Sequence, residues 1–186
     1  MRVIAGAARG IPLLTPEGKG TRPTTDRIKE TLFNILAPGI ADVRFLDLFG
    51  GSGGIAIEAL SRGAAYAFII ERDRRAAGII RKNLEKTKLT DKASVFCTDA
   101  LTACRKMSLD GQKFDMVFLD PPYASDYVKA LFMMPEFCSL LEKDSLIIVE
   151  ADLDADFSDV GKYGFVLDRK KEYKTNMHLF FHYERE

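Results

Sequence analysis

An α/β fold with a mostly parallel sheet is predicted by three features of the sequence. Five short runs are apolar at nearly every position: Val43–Leu48, Tyr66–Glu71, Ala93–Cys97, Phe114–Leu119 and Ser145–Glu150. Strands buried on both faces read this way. Between them lie Gly54–Arg62, Arg74–Lys86, Ala100–Ser108 and Tyr127–Leu141, whose apolar residues recur at helical spacing. Strand and helix also alternate, which implies parallel strands joined by helices that cover the sheet.

Taken in order, Arg2–Ala5 and Leu13–Leu14 flank a glycine-containing turn and predict a small hairpin. Thr24 or Thr25 can cap a helix that runs to about Leu36, with Asp26 at its positive end. The four strand–helix units follow. Pro135 divides the last helical stretch in two, because proline lacks the amide hydrogen a helix interior needs. After residue 150 the pattern changes. Phe165–Arg169 and Thr175–Tyr183 read as two strands joined by a short charged turn, an antiparallel pair at the end of the sheet. The whole chain, 1–186, is expected to be one domain, with 1–40 an N-terminal hairpin and helix and 41–186 the core.

Composition excludes several classes. With 186 residues, 47% apolar and 29% charged, the chain is neither disordered, collagenous nor a coiled coil. Its longest apolar runs fall short of the roughly 20 residues of a membrane helix, and its first residues lack the apolar core of a signal peptide. Three cysteines, Cys97, Cys104 and Cys138, without a C-x-x-C pair, argue against a disulfide framework or a zinc site and for a reducing cytoplasm. Net charge is zero but unevenly placed: residues 1–36 carry +3 and residues 99–160 carry −8. The acidic stretch Asp152–Asp159 reads as a solvated surface. Arg2, Arg9, Lys19, Arg22, Arg27 and Lys29 are interleaved with glycine, proline and threonine, which fits either a phosphate-contacting surface or a solvated arm.

Phe45-Leu46-Asp47-Leu48-Phe49-Gly50-Gly51-Ser52-Gly53-Gly54 is a strand entering a glycine-rich turn that opens a helix. Glycines let a backbone approach a ligand closely. About twenty residues on, the next strand ends at Glu71, where a carboxylate can accept from ribose hydroxyls. A nicotinamide dinucleotide would bring its pyrophosphate to the helix start. The acid Asp47 is awkward there, but it suits the ammonium group of S-adenosylmethionine. The methyl donor is therefore the favoured ligand. Asp99, after the third strand, could accept from an adenine amine or simply cap a helix.

The fourth strand runs into Asp120-Pro121-Pro122-Tyr123. The prolines stop the strand and stiffen the turn, at the strand end where such sheets bind ligands. The chemistry suits an exocyclic amine of a nucleobase, a poor nucleophile because its lone pair is conjugated with the ring. The Asp120 carboxylate and the Pro121 carbonyl can each accept one N–H and free that lone pair. Tyr123 offers a face on which the base can stack. Rate enhancement would come from positioning and electrostatics, and the transfer needs no metal. His178 and His182, four apart in a strand, lack metal partners and read as core or surface residues.

At these residues the chain resembles the RsmD family, bacterial enzymes that methylate the N2 amine of a guanine in small-subunit (16S) ribosomal RNA. The resemblance rests on Met1-Arg2-Val3-Ile4-Ala5-Gly6, Arg9-Gly10, Arg22-Pro23-Thr24 with Asp26-Arg27, Leu46-Asp47-Leu48-Phe49, Glu58-Ala59-Leu60-Ser61-Arg62-Gly63-Ala64 and Asp120-Pro121-Pro122-Tyr123. It implies the Rossmann-like class I methyltransferase fold, a seven-stranded, mostly parallel sheet with the last strand antiparallel. It implies a donor site of Asp47, Phe49, Gly50, Gly51, Gly53 and Glu71, with Asp99 near the adenine. Asp120, Pro121, Pro122 and Tyr123 would bind the target amine, and Arg2, Arg9 and Arg22 the RNA. The expected partner is small-subunit ribosomal RNA, free or within an assembling 30S particle, and the enzyme a monomer. Two departures stand out: Gly53-Gly54-Ile55-Ala56 where the family more often has Gly-Ala-Leu-Gly, and Lys174 after Tyr173 where a glycine is common.

Three other readings compete. A DNA adenine-N6 or cytosine-N4 methyltransferase shares the Asp-Pro-Pro-Tyr turn, but no separate target-recognition domain is visible. A nicotinamide oxidoreductase leaves that turn unexplained. A non-catalytic RNA-binding module leaves Asp120 without a role.

Overall fold

A computed structural model describes residues 1–16, 25–122 and 124–184. Its seven strands are members of a mixed α/β sheet. The chain divides into two compact units, Met1–Ala100 and Leu101–Glu186.

The first unit holds α1 (Asp26–Leu36), β1 (Arg44–Asp47), α2 (Gly54–Ser61), β2 (Tyr66–Ile70), α3 (Arg74–Thr87) and β3 (Ala93–Phe96). β1 and β3 flank β2, both parallel to it, with Leu46 opposite Phe68 and Ile69 opposite Val95. Thr25 caps α1 by accepting from the Ile28 amide, and Asp73 caps α3 by accepting from Ala76. Every residue of α2 (GIAIEALS) is buried, the polar Glu58 and Ser61 included.

Before α1, residues 1–16 form less of a hairpin than the sequence suggests. One antiparallel bridge joins Arg2 and Pro12, supported by amides of Val3, Gly10 and Leu13 that donate across the turn. The turn between them is held against α2. Gly6 has φ +83°, and a Cβ there would lie 1.8 Å from the Ser61 carbonyl oxygen, so no other residue fits.

The second unit contains α4 (Ala100–Leu109, whose first residue ends the first unit), β4 (Phe114–Leu119), α5 (Ala124–Phe132), α6 (Pro135–Ser139), β5 (Leu141–Asp152), β6 (Phe165–Glu172) and β7 (Asn176–Tyr183). β4 and β5 are parallel; β7 lies between β5 and β6 and is antiparallel to both. Pro135 does begin a new helix. β5 starts earlier than its apolar run because Glu142, Lys143 and Asp144 are exposed and irregularly paired; the buried Ser145 hydroxyl then donates to the Phe114 carbonyl. Phe132, Phe137, Phe165 and Phe181 form the aromatic core of this unit, with Phe132 and Phe165 stacked at 3.6 Å. Lys174 needs no glycine conformation, since the turn closes through Tyr173 N–H donating to the Asn176 carbonyl without a positive φ at 174.

Candidate active-site elements

The glycine turn leaves β1 after Asp47. Gly50 donates to the Ile70 carbonyl at 2.8 Å, which ties the turn to the end of β2. A Cβ on Gly50 would meet Ile69 Cγ2 at 2.6 Å, so glycine is required there by packing. Gly51 and Gly53 have φ of +55° and +78°, conformations that L side chains rarely adopt, and the space beside Gly51 is open for a ligand. Gly54 serves another purpose. Its missing Cβ leaves room for the Met1 sulfur, to which the Ser52 hydroxyl donates at 3.5 Å.

Glu71 closes this turn. One carboxylate oxygen accepts from Gly51 N–H at 2.8 Å, the other from Asp73 N–H at 2.8 Å. The carboxylate thus spans the glycine turn and the cap of α3, with a lone pair on each oxygen left for a diol. Asp47 is buried and accepts from Phe49 N–H at 3.1 Å. Burial is the main reason its carboxyl is pushed up to about 7; the Phe49 hydrogen bond opposes the shift and the Glu71 charge adds to it. Such a group favours a cationic neighbour. An ammonium for Asp47, a diol for Glu71 and an open backbone at Gly51 together fit S-adenosylmethionine. Asp99 is exposed and immediately precedes α4, the place of a cap and also of an adenine acceptor.

In the second unit β4 ends at Leu119, and Asp120 and Pro122 are exposed while Pro121 is buried. Turn and strand end are therefore where the sequence puts them. Tyr123 lies outside the described residues, as does Arg22.

The basic arm is not uniform. Arg9 is exposed on the Gly6–Gly10 turn. Arg2 is exposed too, but pairs with Asp26 at 3.3 Å. Lys29, grouped with them by sequence, is neither solvated nor free for phosphate. It is fully buried, 3.2 Å from Glu58, and donates to the Arg2 carbonyl.

Sequence reasoning missed the residues that anchor this arm. Glu58 accepts from the amides of Ile4 and Ala5, from Arg62 and from Lys29. Ser61 Oγ accepts from Ala8 N–H and donates to the Ala5 carbonyl. Arg62 also lies over the Phe33 ring. Asn83 accepts from Leu14 N–H and donates to the carbonyls of Leu14 and Ser52, joining the arm to the glycine turn. The motif Glu58–Ala64 is therefore the dock for the N-terminal segment.

Comparison with known proteins places the chain among methyltransferase relatives. A family model described as Conserved hypothetical protein 95 matches residues 1–182. YlbH of Bacillus subtilis is 40% identical over 174 residues, 93% of this chain and 94% of that protein. Ribosomal RNA small subunit methyltransferase D of Escherichia coli K12 is 40% identical over 154 residues, 83% of this chain and 76% of its own length. Among solved structures, the Escherichia coli methyltransferase yhhF superposes with a TM-score of 0.79 at 34% identity, covering 100% of this chain and 99% of that one.

Proposed function

The chain belongs to the RsmD family, and from that premise we propose that it methylates small-subunit ribosomal RNA with S-adenosylmethionine, at the N2 amine of a guanine. The observation that carries the donor half of this reading is the buried Asp47 carboxyl beside the Glu71-closed glycine turn. Asp47 would hold the donor's ammonium, Glu71 its ribose, and Phe49, Gly50, Gly51 and Gly53 its surroundings, with Asp99 toward the adenine. When bound, S-adenosylmethionine supplies an electrophilic sulfonium methyl group.

The chain's own residues do the rest. Asp120 and the Pro121 carbonyl accept the two N–H bonds of the guanine amine and turn its lone pair away from the ring. Pro122 fixes the turn, and Tyr123 stacks on the base. Asp120 takes the proton that the amine sheds once methylated. Arg9 and Arg22 bind phosphate. The three cysteines, none of them in a disulfide among the described residues, suit the reducing cytoplasm in which ribosomal RNA is modified.

The test is incubation with labelled donor and unmethylated small-subunit RNA or subunits, followed by mapping of the modified base. N2-methylguanine is the expected product, and Asp120→Ala should abolish it while donor binding by calorimetry survives. A label on an adenine or cytosine amine, or an active Asp120→Ala, would overturn the reading.

A further inference from the structure

A second carboxylate stands beside the Asp120 turn. Leu119, the last residue of β4, pairs in parallel register with Val149 of β5, and the residues that follow are Asp120, in the turn beyond β4, and Glu150, still within β5. Glu150 in turn pairs with His178 of β7. His178 lies edge-on to Phe118 at 6.3 Å and 3.1 Å from a Glu150 oxygen, so Phe118, Glu150 and His178 share one face of the sheet. Asp120 follows two residues beyond Phe118, in the turn that leaves β4.

Glu150 is held more firmly than a surface acid needs to be. Asn176 Nδ2 donates to one oxygen at 2.7 Å and His178 Nε2 meets the other. As a carboxylate Glu150 only accepts, so Nε2 donates, and Nδ1 is left to accept from the Tyr173 hydroxyl at 3.0 Å. Tyr173 is fitted to donate: burial and the Glu150 charge raise its pKa to about 12. His178 has no exposed side-chain surface, whereas Glu150 keeps 12% of its own. Asn176 achieves its bond at a cost, because its buried Oδ1 has no partner among the described residues. A fold that tolerates an unpaired acceptor in order to aim one carboxylate marks a functional position.

On the amine-clamp reading of the Asp120 turn, we propose that Glu150 is the specificity-determining residue that accepts the N1–H of the target guanine. Beside its exocyclic amine, guanine carries a ring N–H. Adenine and cytosine carry a ring lone pair there, which a carboxylate repels. A carboxylate one strand from the clamp therefore selects guanine from the three bases that bear an exocyclic amine.

Glu150→Gln tests this with little disturbance. The amide oxygen still accepts from Asn176, and the amide N–H can donate to His178 in its other tautomer, so the network survives while one acceptor becomes a donor. The substrates are two RNA fragments carrying the mapped target position, one with guanine and one with 2-aminopurine, which has the same amine but a ring lone pair at N1. Wild-type enzyme should prefer guanine by about tenfold or more in kcat/KM, the worth of a hydrogen bond to a charged group. Glu150→Gln should lose that preference, with melting temperature and donor affinity unchanged. Glu150→Asp keeps an acceptor but retracts it, and should lose rate while still preferring guanine. An unaltered guanine to 2-aminopurine ratio in Glu150→Gln would show a merely structural residue and overturn the proposal. A wild-type enzyme that leaves the guanine amine unmethylated would instead overturn the amine-clamp reading itself, and with it the proposal.

Discussion

Lys29 Nζ lies 3.2 Å from Glu58 Oε2, and neither side chain has exposed surface. Burial lowers the Lys29 pKa and the Glu58 charge works against that shift. A pair of this kind is costly to bury and costlier to break, since a lone partner keeps its desolvation penalty. Glu58→Ala should destabilise the protein by about 3–5 kcal/mol in urea unfolding. Because Glu58 also accepts from Ile4 and Ala5, the same variant should speed amide exchange over residues 1–13. A change confined to global stability, with the arm equally protected, would contradict the docking role.

Asp47 predicts a pH dependence of donor affinity. Its carboxyl titrates near pH 7 in the folded chain. An ammonium ligand prefers the ionised form, so the donor's Kd should rise as pH falls below about 7, by up to about tenfold per unit. Calorimetry between pH 5.5 and 8.5 measures this, and Asp47→Asn should flatten the profile while weakening binding.

The same group affects stability with the opposite sense. A carboxyl raised above its unfolded value of 3.8 favours the folded state while protonated, and that contribution is lost as pH rises from about 4 to about 7. A shift of this size corresponds to something on the order of 4 kcal/mol. Asp47→Asn should therefore melt higher than wild type at pH 8 and match it near pH 4. Equal melting temperatures at pH 8 would mean that Asp47 carries no such penalty.

Glu71 was read from its spacing to the glycine turn, but its bonds to Gly51 and Asp73 could not be. Its loss removes the ribose acceptor and also frees the turn. Glu71→Ala should weaken donor binding by about 1–3 kcal/mol, and the Gly51 amide should exchange faster even without donor. An unmoved Kd would exclude the ribose bond, and an unmoved Gly51 exchange rate the bracing of the turn.

The strands were legible because burial on both faces leaves an unbroken apolar run, as in Phe114–Leu119. The start of β5 was not, because Glu142, Lys143 and Asp144 point to solvent where the pairing shifts. The glycine and proline turns were legible because each demands residue types with special backbones. Buried polar anchors were harder, since a lysine or glutamate looks alike in or out of water. Spacing held the missing signal: Lys29 falls at i−3, i−4 and i−7 from Leu32, Phe33 and Leu36, all on the buried stripe of α1. Glu58 sits in a helix whose only other polar side chain is Ser61.

The three arginines assigned to RNA look equivalent in sequence, but the structure separates two of them. Arg9 projects from the Gly6–Gly10 turn, exposed, while Arg2 already faces Asp26 at 3.3 Å. A phosphate must compete with Asp26 for Arg2 but not for Arg9 in this way. Each phosphate contact adds about 0.7–0.9 to the slope of log affinity against log salt. Arg9→Ala should lower that slope by nearly one contact, and Arg2→Ala by distinctly less, in binding to unmethylated small-subunit RNA. Asp26→Asn should then make Arg2 count more, steepening the slope above wild type. If Arg9→Ala leaves the slope where it was, the turn does not touch the RNA backbone.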